Sequence, residues 1–330
     1  MSRETAARPT LTGAGVDRLV DGPWRVVVTG AGGWMGQASL ELLRGVLGDA
    51  FESRVVAFGS SRRPLAELGG LAPEPTLVLH LAFLTQEKLA GMPREDYIGA
   101  NRVISDTVFT ALDAVGAEAI FIPSSGAARV ADDPQKTLYG DLKRGDEERA
   151  RAWAESGGKR AVIARIFGLS GPYINKPGAY ALACFIADAL AGRPIAVEAT
   201  RPVFRSPVAV SELMSIVLGL MTDGGSGSTL FDTAGEREYE MGEMAAAVAA
   251  ALGHRAGVTR PPLQTTTPER YVGDPTAYRA HRARLAVTPV PFPDQVRATA
   301  RFMTECRNRA RVKTPLPKGE GGAHGEAMGG

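Results

Sequence analysis

Along the first half of the chain, short and wholly apolar runs alternate with longer stretches whose apolar residues recur every three to four positions. Residues 24–29 are an apolar, β-branched run, 36–47 carry helical spacing, and 55–58 read as a second strand. The alternation continues with a strand at 77–82 and a helix at 96–115. That helix places Tyr97, Ala100, Val103, Ile104, Val108, Ala111 and Leu112 on one face. A strand at 119–123, a helix at 139–155 and a strand at 161–167 complete it. Strands that are apolar at every position must be covered on both faces. The pattern therefore predicts an α/β fold, a doubly wound parallel sheet with helices on either side. The second half is less regular, with helices predicted at 179–191, 211–221 and 241–252. The stretch 260–293 is rich in Pro, Thr and Arg, as in a smaller, loop-rich lobe.

Composition narrows the functional classes. Lys and Arg number 38 against 36 Asp and Glu, a net charge of +2, which argues against a nucleic-acid binder driven by bulk positive charge. The two cysteines, Cys184 and Cys306, read as reduced thiols, and no Cys/His cluster has metal-ligand spacing, so no metal is expected. The first twenty residues carry no apolar core of a signal peptide, and the longest apolar runs are too short to span a bilayer. A cytoplasmic protein without membrane contact is expected.

The strongest local signal is Trp24-Arg-Val-Val-Val-Thr29 running into Gly30-Ala-Gly-Gly33-Trp-Met-Gly36. A predicted strand leads into the glycines and a predicted helix leaves them. In that setting Gly30 makes a tight turn, Gly33 lets a pyrophosphate approach the backbone, and Gly36 allows close helix–strand packing. The helix N-terminus then faces the phosphates. After the second strand comes Gly59-Ser60-Ser61-Arg62-Arg63, with no acidic residue between Arg54 and Glu67. A carboxylate there would bind a ribose 2′-hydroxyl, whereas hydroxyls and a guanidinium suit a 2′-phosphate. NADP(H) is therefore the preferred cofactor, with NAD(H) the alternative.

Further along, Ser124-Ser125 closes a strand, and Tyr139-Gly-Asp-Leu-Lys143 places Tyr and Lys four apart on one helix face. A phenol with a pKa near 10 is a poor acid–base group at neutral pH, and a neighbouring ammonium favours its phenolate. Lys143 would supply that field and hold the nicotinamide ribose, and Ser125 would hydrogen-bond the substrate oxygen. Taken with the Thr-Gly-x-x-Gly-x-x-Gly spacing, the set resembles the short-chain dehydrogenase/reductase superfamily. It is closest to the extended branch of NAD(P)-dependent sugar-nucleotide epimerases, dehydratases and reductases.

The resemblance spans residues 24–230. It implies a Rossmann-like sheet and assigns Ser125, Tyr139 and Lys143 as catalytic. The cofactor-binding set it implies is Gly30, Gly33, Trp34, Met35 and Gly36 at the turn, with Ser60 and Arg62 after the second strand. Leu81, Ala82 and Phe83 join them from Leu79-His80-Leu81-Ala82-Phe83, as do Asn101, Tyr139 and Lys143. Ser124, Ser125 and Arg205 are its substrate-binding positions. Gly168 stands where the family's usual Asn would contact a nucleotide pyrophosphate. The helices at 96–115 and 139–155 resemble a pair that forms a homodimer interface in this family.

The domain division that follows has a flexible arm at 1–22 and a dinucleotide-binding domain at 23–172. The chain returns to that domain at about 205–232, 173–312 form mainly a substrate-binding lobe, and 313–330 are a disordered tail. Gly126-Ala127, where a dehydratase carries an acid–base pair, cannot move a proton, which argues against dehydration. The expected reaction is NADPH-dependent reduction of a 4-keto-(6-deoxy)sugar nucleotide with Tyr139 as proton donor. Three alternatives stay open: an epimerase with tightly held NAD(P), a reductase of a non-sugar carbonyl, and a dinucleotide-binding protein without catalysis.

Overall fold

The computed structural model describes residues 9–129 and 134–313. A short helix α1 (Gly15–Asp21) precedes β1 (Arg25–Thr29), and α2 (Trp34–Leu47) and the short α3 (Phe51–Arg54) lead to β2 (Val55–Ala57). The alternation continues through β3 (Thr76–His80), α4 (Arg94–Ala111), β4 (Ala117–Ser125), α5 (Pro134–Gly157) and β5 (Arg160–Ile166). The chain then leaves the sheet through β6 (Leu169–Ser170), α6 (Ala181–Leu190), β7 (Ile195–Ala196) and β8 (Val203–Arg205). It returns through β9 (Val208–Ala209), α7 (Val210–Met221) and β10 (Gly227–Asp232). The last excursion holds β11 (Tyr239–Glu240), α8 (Met241–Leu252), β12 (Val258–Thr259), β13 (Glu269–Tyr271), α9 (Pro275–Arg284) and α10 (Phe292–Lys313).

The main sheet has six strands in the order β10-β5-β4-β3-β1-β2, and every pairing is parallel. Strand order reverses at β1, where β2 lies on one side and β3 on the other. The carboxyl ends of strands flanking such a reversal splay apart and leave a crevice. Thr29 ends β1 beside His80 of β3 there, and Ser125 ends β4 beside Ile166 of β5.

Side chains alternate across each strand, so the sheet builds two cores. Val26, Val28, Leu77, Leu79 and Phe121 pack with Leu40 and Leu43 of α2 and with α7, all twelve of whose residues are buried. Val27, Val78, Ile120, Ile122 and Ile163 pack on the other face against Val108 and Leu112, and against Ala150 and Ala154 of α5. A third cluster joins α6, α8 and α10 and forms the lobe, with Ile186, Met244 and Val296 at its centre. Local chemistry sets the ends of two lobe helices. A capping box of Glu240 and Glu243 starts α8 and a left-handed Gly253 ends it, while Asp274 caps α9 with Pro275 behind it.

One expectation is corrected in part. The stretch 9–22 is not a loose arm, because Leu11 and Leu19 are buried and α1 packs on α7. The contact is made by two glycines: a Cβ on Gly15 would lie 2.3 Å from the Gly219 Cα. Residues 1–8 and 314–330, the rest of the expected arm and tail, lie outside the described residues. Within 260–293 the loops carry β13 and α9, and α10 follows where no helix is predicted. Among the described residues no helix is long and apolar enough to cross a membrane.

Candidate active site

The glycine turn is shaped by close approaches that leave no room for side chains. Gly30 has φ +64°, and a Cβ there would sit 2.6 Å from the Ala82 nitrogen and the Leu81 carbonyl. A Cβ on Gly36 would fall 2.2 Å from the Gly30 carbonyl oxygen, so α2 can begin this close to β1 only with glycine. Gly33 is the N-cap of α2, without a capping side chain and without an acidic residue in the first turn. The first N–H groups of α2 are thus free of a competing carboxylate, the arrangement that suits a pyrophosphate. Trp34 and Met35 begin α2, and the Trp34 indole donates to the Pro172 carbonyl at 2.8 Å, tying the turn to the segment leading into the lobe. These residues fit a nicotinamide dinucleotide.

The β2 exit lies against the same turn. The Ala31 amide donates to the Phe58 carbonyl at 3.0 Å, and a Cβ on Gly59 would be only 3.5 Å from the Ala31 and Gly32 nitrogens. Ser60 and Arg62 follow on an exposed turn closed by Arg62 N–H to the Gly59 carbonyl at 2.9 Å. Arg62 and Arg63 border a cavity of about 300 Å³ with Arg44 and Glu52, and none of the turn glycines lines it.

Leu81, Ala82 and Phe83 cross the crevice from β3. The Ala82 amide donates to Thr29 at 3.1 Å, and the Leu84 amide donates to Asn101 Oδ1 at 2.8 Å. Asn101 also donates to the Tyr97 carbonyl, so it braces this loop from α4. His80 shares a 3.1 Å hydrogen bond with Thr29. Burial, then the charges of Lys143 and Arg149, push its pKa down to about 3. The unfolded chain takes up a proton near pH 6.5 and the native chain does not, so stability falls as pH drops from 6.5 towards 3. His80→Asn is expected to remove about 2 kcal/mol of the stability difference between pH 7 and pH 5, read by urea unfolding at both.

The carboxyl end of β4 divides its two serines. Ser124 donates to Glu147 of α5, and Arg165 of β5 grips the same carboxylate with two bonds of 2.9 and 2.7 Å. Ser124 is therefore committed to a buried network. Ser125 instead faces the crevice, accepting from the Ala127 amide at 3.2 Å and lying 3.3 Å from the Tyr271 hydroxyl. Tyr139 and Lys143 project from α5 towards it. The Tyr139 ring meets Phe83 edge-on at 5.7 Å, and the Lys143 ammonium sits 3.6 Å over the centre of the Phe83 ring. Phe83 thus sets the spacing of both groups.

Electrostatics follow burial. Removal from water raises the Tyr139 phenol, and the Ser125 hydrogen bond pulls it back only in part. Burial lowers Lys143 to about 8 despite Asp146 and Glu147 nearby. Below that pH the ammonium is charged, and it lies on the same helix face as Tyr139. Arg205 pairs with Glu269 at 2.8 Å and lies 5.6 Å from the centre of the Tyr271 ring, at the lobe side of the site. The structure brings Ser125, Tyr139, Lys143 and Phe83 together and leaves Ser60, Arg62 and Arg205 at the margins. Tyr271, Phe167 and the Glu147–Arg165 pair are absent from the sequence reading. Tyr271 sits in a stretch without periodicity, and only its contacts with Ser125 and Phe167 in space mark it.

A parallel sheet with a glycine turn at its reversal, and a Ser, Tyr and Lys at its carboxyl end, defines a nicotinamide-dependent enzyme of the short-chain dehydrogenase/reductase type. A sequence profile described as "NAD dependent epimerase/dehydratase family" matches residues 26–230. The chain belongs to that family. A comparison with curated proteins finds no match. Solved structures share the fold. UDP-N-acetylglucosamine 4-epimerase from Methanobrevibacter ruminantium, in complex with UDP-N-acetylmuramic acid, aligns at a TM-score of 0.67 and 17% identity over 86% of this chain and 98% of its own. The Thermus thermophilus UDP-glucose 4-epimerase complex with NAD aligns at 0.61 and 21% identity, over 85% and 99%. UDP-glucose 4-epimerase from Thermotoga maritima, with UDP-glucose, aligns at 0.64 and 16%, over 86% and 99%.

Proposed function

We propose that the chain is a nucleotide-sugar epimerase that oxidises and re-reduces one carbinol carbon while keeping its dinucleotide. The observation that carries this reading is that one acid–base group, Tyr139, meets the crevice beside Ser125, with Lys143 below it. A bound nicotinamide ring supplies hydride acceptance and donation. Entering the cycle as the phenolate, Tyr139 takes the proton of the sugar hydroxyl as that carbon is oxidised, and returns it to the same oxygen as the carbon is reduced. Ser125 holds that oxygen in line, and Lys143 steadies the negative charge that develops on Tyr139. The proton count closes over a turnover, so no second acid is needed.

Elimination of water would need one. The position after Ser125 has no space for it, since a Cβ on Gly126 would lie 2.5 Å from the Phe167 ring and 2.8 Å from Tyr271. Membership of a family that includes both epimerases and dehydratases admits the epimerase reading, and the 4-epimerases of the same fold with bound UDP-sugars support it. The test is incubation with UDP-glucose. The C4 epimer should accumulate without net change at 340 nm, and NAD(H) should be released on denaturing the purified protein. No epimer from any UDP-hexose, with NADPH consumed one-for-one on a nucleotide 4-keto-6-deoxysugar, overturns it.

That second outcome is the net reduction expected from the sequence, and one observation favours it: the β2 exit offers Ser60 and Arg62 in place of a carboxylate. If Arg62 holds a 2′-phosphate, Arg62→Ala weakens NADP+ about tenfold, the worth of a charge-assisted hydrogen bond, and leaves NAD+ within about twofold. Calorimetric titration of both dinucleotides measures it, and an equal effect on the two discards the role.

A further inference from the structure

We propose that Tyr271 is a third hydroxyl of the active site, a positioning residue supplied by the lobe that acts through Ser125. The inference rests on the redox role of Tyr139 given above. Tyr271 ends β13, which pairs with β8 so that Tyr271 stands opposite Arg205. Its ring packs on Phe167 at 4.9 Å between centroids. The wall behind is glycine: a Cβ on Gly126 would strike Tyr271 and Phe167, and one on Gly273 would lie 2.4 Å from the Thr233 carbonyl oxygen and 3.0 Å from Phe167. The ring is therefore held in one place, and its hydroxyl reaches Ser125 Oγ at 3.3 Å.

Counting protons gives the bond a direction. A serine hydroxyl has one proton to donate and two lone pairs to accept with. The Ala127 amide occupies one lone pair of Ser125. In the role proposed above the Ser125 proton points at the substrate oxygen. The second lone pair is left for Tyr271, which donates. Tyr271 to Ser125 to the substrate oxygen is then two donors in series, the first polarising the second. When the substrate oxygen enters, Ser125 turns its proton to it with the Tyr271 donor still behind.

Tyr271→Phe keeps the ring and its packing and removes only the donor. The expected result is a five- to thirtyfold lower kcat with KM for the UDP-sugar within twofold. The double variant Ser125→Ala/Tyr271→Phe should be no slower than Ser125→Ala alone, because Tyr271 acts through that serine. An unchanged kcat, or losses that multiply in the double variant, overturns the inference. A second readout needs no turnover. In the NAD+ complex of protein labelled at tyrosine Cζ, the Tyr271 resonance, assigned by its loss in Tyr271→Phe, should shift in Ser125→Ala. An unmoved resonance overturns the inference even if no sugar nucleotide is a substrate, whereas a moved one with no turnover faults the epimerase reading alone.

Discussion

Tyr139→Phe is expected to lower kcat by about 10³-fold, within the range for loss of a general acid–base group, while dinucleotide affinity and thermal stability stay near wild type. The ring is fixed by its edge contact with Phe83, which phenylalanine keeps. The hydroxyl is the part that burial disfavours in its charged form, so its removal costs the fold little. Nothing near it can substitute. Ser125 holds a proton far less acidic than a phenol, and Lys143 lies against the Phe83 face. His80 is neutral throughout the physiological range and is tied to Thr29. Steady-state kinetics on the same UDP-sugar, with calorimetric titration of NAD+, separates chemistry from binding. A variant within tenfold of wild type would remove Tyr139 from the proton path and assign the proton to another group.

The sequence shows the cofactor half of the molecule more fully than the substrate half, for a physical reason. Strands buried on both faces leave uninterrupted apolar runs, and a phosphate turn leaves glycines at fixed offsets, so residues 24–167 announce their roles locally. Ser125 and Tyr139 owe their meeting to a crossover whose geometry is nearly invariant for parallel strands. The division of labour between Ser124 and Ser125 is different. It depends on Glu147 and Arg165 meeting behind β4, a contact between three elements that no single segment encodes. Tyr271 is the extreme case. It lies on a three-residue strand in a polar stretch, and its place beside Ser125 exists only because Gly126 and Gly273 leave space for the Phe167–Tyr271 pair. The order of 9–22 is likewise hidden, since two glycines, not a hydrophobic stripe, let α1 meet α7.

Lys143→Met should make the protein more stable at pH 7 and at the same time reduce turnover at least a hundredfold. The ammonium is buried, and burial brings its pKa from 10.5 to about 8. At pH 7 it is charged in both folded and unfolded chains, so the native state carries the full cost of desolvating it. Each unit of the shift is worth about 1.4 kcal/mol, which sets that cost at about 3 kcal/mol. Methionine fills similar volume without charge. It forfeits the stacking over Phe83, about 1–2 kcal/mol when desolvated, and the attraction of Asp146 and Glu147. A net gain of about 1–2 kcal/mol at pH 7 remains once about 1–2 kcal/mol of stacking is set against the desolvation cost. The sign reverses with the proton. Between pH 8 and 10.5 the native lysine is neutral while the unfolded one is still charged, so the wild type gains stability as pH rises and the advantage of methionine shrinks. Urea unfolding of the dinucleotide-free protein at pH 7 and pH 10 measures both halves. A Lys143→Met chain less stable than wild type at pH 7 would mean that the ammonium is held by its carboxylate neighbours rather than strained for use. The strain is what the proposed chemistry requires: a cation whose burial Phe83, Asp146 and Glu147 repay in part, and a developing phenolate and the ribose of a bound dinucleotide repay further.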